Sequence, residues 1–379
     1  MPWQEVSTMS QRREFVMFTQ ADEANISALC RRYGVSRKTG YKWLRRFREE
    51  GEPGLQDRSR RPREAPNKTA SAMEQAVIAL RQQHPAWGAR KLHTRLKTLG
   101  QAAVPAPSTI HGILRRHGLI DPEASGASQP WQRFEHAAPN QLWQMDFKGH
   151  FPLQTARCHP LTVLDDHSRF SLCLRACADE QGKTVISALS RTFEQYGLPD
   201  AMTMDNGAPW GSDSEHPYTA FTLWLMRLNI RVSHSRPFHP QTQGKDERFH
   251  RTLKAEVLRG APFRDLDQAQ QRFDQWREVY NFERPHEALG QQVPASRYRP
   301  SVRAFLAHLP PIEYGPDDLV RKVQCGGEFF YHGHRFHVAK CFHGYPIALR
   351  PTQEDGCFSL YFCATKIGSI DLRNLCSQP

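Results

Sequence analysis

The chain has 379 residues, of which 39% are hydrophobic and 10% aromatic. This length exceeds one ordinary hydrophobic core and indicates two to four domains, and the apolar content excludes global disorder. The 51 lysines and arginines outnumber the 39 acidic residues, and the resulting net charge of +12 favours a polyanionic partner, which composition alone leaves open as DNA, RNA or an acidic membrane.

No apolar run is long enough to span a bilayer, and the first ten residues lack a secretory pattern, so we expect an intracellular protein without membrane contacts. The nine cysteines include no Cys-x-x-Cys pair, which fits reduced thiols better than a disulfide frame or a zinc site. Cys173 and Cys177 lie in an alternating segment and are interpreted as packing residues of a strand.

Residues 1–52 have the pattern of a helix-turn-helix DNA-binding domain. A tight turn at Gly34-Val35 separates two helical segments, and Ser36 is placed to cap the second helix. The apolar faces consist of Leu29, Cys30 and Tyr33, followed by Trp43, Leu44 and Phe47. The second helix would lie in the major groove, with predicted DNA contacts at Ser36, Arg37, Lys38, Lys42 and Arg45. A solvated basic helix in a small bundle is the alternative, and Gly40 costs such a helix about 1 kcal/mol relative to alanine.

Residues 53–70 are predicted to be a basic linker, rich in Gly, Pro and Arg. This linker resembles the arms that some DNA-binding domains lay in the minor groove, and a plain solvated linker is an equal alternative. The predicted DNA contacts of the arm are Arg58, Arg60, Arg61 and Arg63.

Residues 71–120 form a second helical, helix-turn-helix-like domain in this interpretation, either a DNA-binding unit or a spacer. The apolar spacings predict three helices, with Ser108 as the cap of the third. The inward residues are Met73, Val77 and Leu80, then Leu92, Leu96 and Leu99, then Ile110, Ile113 and Leu114. Residues 121–133, rich in Ser, Ala, Gly and Pro, are predicted to be a linker.

From residue 134 to about 300, strand patterns alternate with helical patterns, which indicates a mixed α/β layer. We expect strands at 143–147, 161–164, 170–174 and 201–204, and a helix at 184–196. Residues 301–379 contain short apolar runs separated by Gly, Pro and Asp, which predict a small β-barrel or sandwich.

Three carboxylates in the α/β region are candidates for chemistry. Asp146 lies within a strand between apolar neighbours, where an unpaired charge is costly. Asp205 ends a strand before Asn206-Gly207, a sequence that by itself is typical of a turn. Glu247 lies on a predicted helix whose buried stripe is Phe249, Leu253 and Val257, and it shares another face with Arg251 and Lys254. An ordinary surface Glu-Arg pair is the alternative there.

Three converging carboxylates in a basic protein suit Mg²⁺ or Mn²⁺, because these ions prefer oxygen ligands. Two such ions about 3.5–4 Å apart can activate a water or a 3′-hydroxyl and stabilise the leaving oxygen of a phosphodiester displacement. The same site could therefore hydrolyse a strand and then use the freed 3′ end as a nucleophile.

Five motifs in a fixed order resemble the integrase-type catalytic core of bacterial insertion-sequence transposases. They are Trp143-Gln144-Met145-Asp146, Asp165-Asp166-His167-Ser168-Arg169, Asp205-Asn206-Gly207, the segment 239–249, and Tyr280-Asn281-Phe282-Glu283-Arg284-Pro285-His286. The resemblance extends to the whole chain, since members with N-terminal helix-turn-helix units and a small C-terminal β domain are known.

The resemblance implies a multidomain protein with a ribonuclease-H-like core, in which Asp146, Asp205 and Glu247 are the catalytic and metal-binding residues. It also implies cleavage at the terminal inverted repeats of the element, strand transfer into target DNA, and a homo-oligomer on double-stranded DNA in the bacterial cytoplasm, at the nucleoid. Lys245, Arg251 and Lys254 become candidate DNA contacts beside Glu247.

Departures and alternatives accompany this resemblance. Asp246 is a rival to Glu247, and the 41 residues between Asp205 and Glu247 are somewhat more than usual in this group, with the extra residues assigned to 211–216. Retroviral integrases are similar too, but their N-terminal His-His-Cys-Cys zinc module has no counterpart, since Cys30 is the only cysteine before the core. The remaining alternatives are a catalytically silent DNA-binding regulator and a ribonuclease-H-like nuclease without joining activity.

Overall fold

A computed structural model describes residues 7–21, 24–59, 68–120, 135–205, 207–211, 218–234, 244–260 and 262–373. The chain forms two compact units, Met1–Lys68 and Thr69–Pro379. Some sequence predictions fall outside the described residues: Arg60, Arg61, Arg63, Asn206, most of the loop at 211–216 and the motif residues 239–243.

The first unit contains the predicted helix-turn-helix. Helices α2 (Ile26–Arg32) and α3 (Arg37–Glu50) are preceded by α1 (Thr8–Phe18), which the sequence pattern did not predict. The turn before α3 contains Gly34 with φ of 64°, and Ser36 caps α3 by accepting a 3.2 Å hydrogen bond from the backbone N–H of Thr39. The predicted turn and cap are therefore confirmed.

Gly40 has a packing function in the middle of α3. A Cβ atom at this position would lie 2.5 Å from Cys30 Sγ and 2.9 Å from Phe15 Cζ. The glycine that weakens an isolated helix therefore lets α3 approach α2 and α1 closely.

The second unit begins with α4 (Ser71–Gln83), α5 (Ala89–Thr98) and α6 (Pro107–Arg116), which enclose the fully buried Trp87 and Leu92. Two local predictions are wrong. Ser108 lies inside α6, because Pro107 is the first residue of that helix and its fixed φ favours this position. Leu99 lies just after α5 and is 52% exposed.

The helices α4–α6 dock on the α/β core within this unit. Arg95 donates a 2.5 Å hydrogen bond to Glu283, and Val279 packs against the apolar cluster of the three helices. A second, exposed ion pair joins Arg90 and Glu287 at 3.0 Å.

The core contains a six-stranded sheet in which β4 pairs with β3 and the remaining order is β2-β3-β1-β5-β6. Its strands are β1 (Trp143–Phe147), β2 (Phe151–Pro152), β3 (Arg157–Asp165), β4 (Ser171–Cys177), β5 (Ala201–Met204) and β6 (Arg231–His234). Strands β1, β5 and β6 are parallel, whereas β2, β3 and β4 run antiparallel to their neighbours. The predicted mixed α/β layer is confirmed.

Helices cover both faces of this sheet. They are α7 (Gly182–Tyr196), α8 (Ala220–Arg227), α9 (Gly244–Glu256) and α10 (Leu266–Glu278). One face buries Met145 and Leu161 with residues of α7 and α8, and the other buries Leu174 with α9 and α10. Cys173 and Cys177 are buried free thiols, as expected. A π-helical turn at Val279–Glu283 follows α10 and ends before the Arg284-Pro285 step.

The C-terminal region contains β7 (Leu319–Lys322), β8 (Glu328–Tyr331), β9 (His334–His337), β10 (Pro346–Pro351), β11 (Cys357–Phe362) and β12 (Thr365–Asp371). They form a four-stranded sheet in the order β12-β11-β10-β7 and a separate β8–β9 hairpin. The sequence predicted a barrel or a sandwich; a closed barrel is not observed, because no ladder within the described residues joins the hairpin to either edge of the sheet. Leu223 and Met226 of α8 pack into the apolar cluster of this region and attach it to the core.

Candidate active site

The first two candidate acids lie at the same edge of the sheet. Strands β1 and β5 are parallel neighbours, and Gln144 is the register partner of Thr203. Continuing this register by two residues brings Asp146 level with Asp205, which directly follows β5. The sheet thus places two predicted ligands side by side at the carboxyl ends of adjacent strands.

The third candidate acid is on α9, which packs against β1. Its inward residues are Asp246, Phe249 and Leu253, whereas Glu247 is exposed. Asp246 is only 1% exposed, and neither of its carboxyl oxygens has a hydrogen-bond partner among the described residues. Burial, and then the charge of Asp146, hold the pKa of Asp246 well above its usual range. Glu247 is therefore the carboxylate of this pair that is available to a ligand.

Electrostatic coupling links the three acids. The side chain of Asp146 is 24% exposed. Burial, and then the negative charges of Asp205, Glu180 and Glu247, raise the pKa of Asp146 to about 7. Because the repulsion among these carboxylates disfavours the ionised form of Asp146, a bound cation would relieve it.

The donor set fits a hard divalent cation, since all three groups offer carboxylate oxygens and two of them are exposed. Their oxygens do not already converge on one point. Among the described residues, no three His, Cys, Asp or Glu side chains lie together as a ready-made metal site.

His250 is a neighbour of Asp146 that the sequence analysis did not single out. Its Nδ1 lies 3.8 Å from Asp146 Oδ2, and its Nε2 lies 2.8 Å from Thr162 Oγ1. Burial, and then the charge of Lys148, lower the pKa of His250 to about 4. The helical spacing of three residues from Glu247 was the only sequence signal that could have pointed to this residue.

The Asp165-Asp166-His167-Ser168 motif is a buried turn. Asp165 accepts hydrogen bonds from the backbone N–H of Asn140 at 2.7 Å and from the backbone N–H and hydroxyl of Ser168 at 2.7 and 2.6 Å. Asp166 forms an ion pair with Lys245 at the start of α9. This motif therefore connects the turn after β3 to the start of α9.

Lys245 occupies a different place from the one that the sequence predicted. Its ammonium group donates to the backbone carbonyl of Asp166 at 3.0 Å as well as to the carboxylate, and its side chain is 16% exposed. This internal pairing takes Lys245 out of the set of candidate DNA contacts. Arg251 and Lys254 of the same helix are exposed and remain in it.

The candidate DNA contacts of α3 differ in their availability. Arg37, Lys38 and Arg45 are exposed. The Ser36 hydroxyl is engaged in capping, and the Lys42 ammonium lies 4.2 Å from the centroid of the Trp43 ring. Outside α3, the guanidinium of Arg58 is paired with Glu50.

Tyr41 is an outward residue of α3 that the sequence analysis did not include. It is 55% exposed. An exposed aromatic ring among cations is typical of surfaces that contact nucleic acids. Its position four residues after Arg37 was the sequence signal that could have revealed it.

Several known domain families match the chain, and they cover most of it. The integrase core domain matches residues 136–240 and, in a second form, residues 228–294. A helix-turn-helix domain matches residues 11–63, and a homeodomain-like domain matches residues 39–114. The C-terminal domain of IS481 family transposases matches residues 318–376.

Among known proteins, the chain is similar to two products of bacterial insertion elements. It is 26% identical over 61% of its length to the uncharacterized 39.2 kDa protein of insertion element IS476 from Xanthomonas euvesicatoria. It is 27% identical over 42% of its length to the uncharacterized 31.7 kDa protein of insertion element IS407 from Burkholderia multivorans. The matches span 65% and 55% of those two proteins.

A solved structure with a similar chain is the simian T-cell lymphotropic virus intasome in complex with the PP2A regulatory subunit B56 gamma. The identity is 16%, the match covers 78% of this chain and 99% of that chain, and the TM-score is 0.38. None of the helices that the structure describes combines the length and apolar character needed to span a bilayer.

Proposed function

We propose that this chain, which belongs to the integrase-core transposases of bacterial insertion elements, binds the terminal inverted repeats of its element and catalyses DNA cleavage and strand transfer. The observation that carries this proposal is the register of β1 and β5, which aligns Asp146 with Asp205, beside a helix that exposes Glu247. Acids on two neighbouring strand ends and on a helix packed against them form one edge site.

The proposed metal ligands are Asp146, Asp205 and Glu247. When bound there, one or two Mg²⁺ or Mn²⁺ ions would supply Lewis-acid activation of the attacking oxygen and stabilise charge on the leaving oxygen. The raised pKa of Asp146 is caused by burial first and then by the negative charges of Asp205, Glu180 and Glu247, and a divalent cation bound there would neutralise those charges.

The residues of the chain position the DNA for two displacements of the same type. In the first, a water oxygen bonds to phosphorus at the element end and the bond from phosphorus to the 3′ oxygen breaks, which leaves a 3′-hydroxyl. In the second, that 3′-hydroxyl bonds to a target phosphorus and a target 3′ oxygen leaves. Neither displacement requires a covalent bond to the protein.

The exposed cations proposed to contact DNA lie on two surfaces, one on α3 and one on α9. Arg37, Lys38 and Arg45 on α3 form the proposed end-recognition surface, which a helix-turn-helix places in the major groove. Arg251 and Lys254, one and two turns after Glu247 on α9, would hold phosphates next to the cleaved bond. Because two element ends must be joined, we propose that the protein acts as a homo-oligomer on DNA.

Cleavage and binding can be separated experimentally. Asp146→Asn, Asp205→Asn and Glu247→Gln should each abolish Mg²⁺-dependent cleavage of DNA that carries the ends of the element, while binding to the same DNA persists. Unchanged cleavage in EDTA would refute the metal mechanism. Binding without cleavage by the native protein, with validated DNA ends and metal, would favour the regulator, and cleavage without joining would favour the nuclease.

A further inference from the structure

Asp166 contacts three separate segments of the core. This residue follows β3 and is 3% exposed. Its Oδ2 accepts hydrogen bonds from the backbone N–H of His136 at 2.9 Å and from His136 Nδ1 at 3.1 Å. Its Oδ1 accepts a 2.7 Å hydrogen bond from Gln144 Nε2 and pairs with the ammonium of Lys245. One buried carboxylate therefore connects the segment before β1, strand β1 and helix α9.

The partners of Asp166 have the same spacing from two of the proposed metal ligands. Gln144 precedes Asp146 by two residues on β1, and Lys245 precedes Glu247 by two residues on α9. Residues two apart on a strand share a face, and the first turn of a helix moves as one body with its first residues. A displacement of either partner from Asp166 would therefore displace the ligand that follows it.

Apolar packing alone does not fix the first turn of α9. The buried residues Phe249 and Leu253 hold the middle of the helix against β3, β4 and α10, and hydrophobic contact is non-directional. At the N-terminal end, the ion pair and the hydrogen bond from Lys245 to Asp166 are directional contacts between described residues. Glu247 lies in this first turn.

We propose that Asp166 is a positioning residue that sets the place of Glu247 relative to Asp146 and thereby the affinity of the site for a divalent cation. This inference rests on the proposed function, because it presupposes a metal site at these acids. Asp166 itself is buried and acts through its partners Gln144 and Lys245. Loss of such a contact behind a ligand typically weakens metal binding by 10-fold to 100-fold.

The test is Mn²⁺ binding to the full chain, measured by electron paramagnetic resonance titration of free Mn²⁺. Asp166→Asn keeps the shape and removes the charge, and Lys245→Met keeps the stem and removes the ammonium. We expect each to weaken Mn²⁺ binding by about 10-fold or more. Asp318→Asn is the matched control, because it breaks another ion pair of the same unit, with Arg350 at 2.7 Å, in the C-terminal sheet. This control should bind Mn²⁺ as the native chain does.

A double-mutant cycle with Glu247→Gln separates positioning from general destabilisation. If Asp166 acts through Glu247, Asp166→Asn weakens Mn²⁺ binding in the native background and has little further effect when Glu247 is already Gln. Equal losses in both backgrounds, or no loss, would overturn the inference. Should Asp166→Asn fail to fold, Lys245→Met replaces it in the double-mutant cycle with Glu247→Gln.

The two proposals fail in different ways. If native Mn²⁺ binding does not depend on Asp146 and Glu247, the proposed metal site is wrong and the positioning role falls with it. If native binding depends on both acids but is unchanged in Asp166→Asn and Lys245→Met, only the positioning role is wrong.

Discussion

His250 directs an unprotonated ring nitrogen at the carboxylate of Asp146. The Thr162 hydroxyl donates a 2.9 Å hydrogen bond to the carbonyl oxygen of Asp146, which uses its one proton. Thr162 Oγ1 must then accept from His250 Nε2 at 2.8 Å, so Nε2 carries the ring proton. Nδ1, 3.8 Å from Asp146 Oδ2, is left as an acceptor. The hydrogen-bonded pair of Thr162 and His250 is thus adjacent to Asp146 twice. Thr162 binds the backbone carbonyl of Asp146, and His250 lies near its carboxylate.

Thr162→Val should destabilise the chain by about 1–3 kcal/mol, because it leaves the Nε2–H of His250 unsatisfied in the interior. Thr162 is fully buried. Urea unfolding measures this loss, and adding His250→Leu should recover part of it, because both partners are then apolar. Thr192→Val is the control, since its hydroxyl donates to the carbonyl of Ala188 one turn earlier in α7 and not to a histidine. If Thr162→Val lowers the free energy of unfolding no more than the control does, the hydrogen bond from His250 to Thr162 contributes nothing to stability.

Asp146→Asn should stabilise the metal-free chain at pH 8. The folded-state pKa of about 7 lies above the ordinary value of 3.8, so the folded state binds more protons between these two pH values. Stability contributed by protonated Asp146 is therefore present below pH 4 and is lost as the pH rises through 7, by up to roughly 4 kcal/mol. Asparagine at this position removes that loss.

Urea unfolding in EDTA at pH 5 and pH 8 measures this effect. The native chain should lose more stability between the two pH values than Asp146→Asn does. The exposed Asp355→Asn should retain the native pH dependence. Identical pH dependence of native and Asp146→Asn chains would show that the pKa of Asp146 is not raised in the folded chain.

The Arg37→Ala, Lys38→Ala double variant should weaken DNA binding and reduce its salt dependence. Each lost phosphate contact lowers the slope of log K against log salt by about 0.9, so the expected reduction is about 2. Fluorescence anisotropy at several salt concentrations measures the slope. Lys183→Ala with Arg191→Ala removes two exposed cations from α7 and should leave it unchanged. Equal slopes for both double variants would exclude α3 as the recognition helix.

Arg95→Ala should loosen the attachment of α4–α6 to the core. Arg95 is 17% exposed and its pairing with Glu283 is partly buried, so its removal should cost about 1–3 kcal/mol. Faster amide exchange in α5 would report this change. Arg90→Ala is the matched control, because the pair of Arg90 and Glu287 is 73% and 52% exposed and should contribute less than 1 kcal/mol. Equal exchange in both variants would mean that apolar contacts alone hold the helices.

Patterns of neighbouring residues in the sequence predicted the strands and helix starts that such residues determine. Alternation placed β1 around Asp146, the turn after Met204 placed Asp205, and the hydroxyl of Ser36 marked the start of α3. The same reasoning misplaced the start of α6, because Pro107 competes with Ser108 for the first turn.

Contacts between distant segments were beyond the sequence pattern. Thr162 and His250 are 88 residues apart, and Asp166 and Lys245 are 79 residues apart. Asp246 and Glu247 are adjacent acids, and only burial distinguishes the inward one from the available one. From the sequence, Gly40 only weakens helix α3, whereas in the structure a Cβ atom at this position would collide with Cys30. The choice between a barrel and a sandwich for residues 301–379 stayed open for the same reason, since closure depends on strand edges that no local pattern specifies.

The most direct measurement is a strand-transfer assay with Mg²⁺ or Mn²⁺ on DNA carrying the element ends, comparing the native chain with Glu247→Gln. Joined product from the native chain and none from the variant is the predicted result. Equal joining by both would remove Glu247 from the site, and absence of joining by the native chain on validated ends would contradict the assignment as an active transposase.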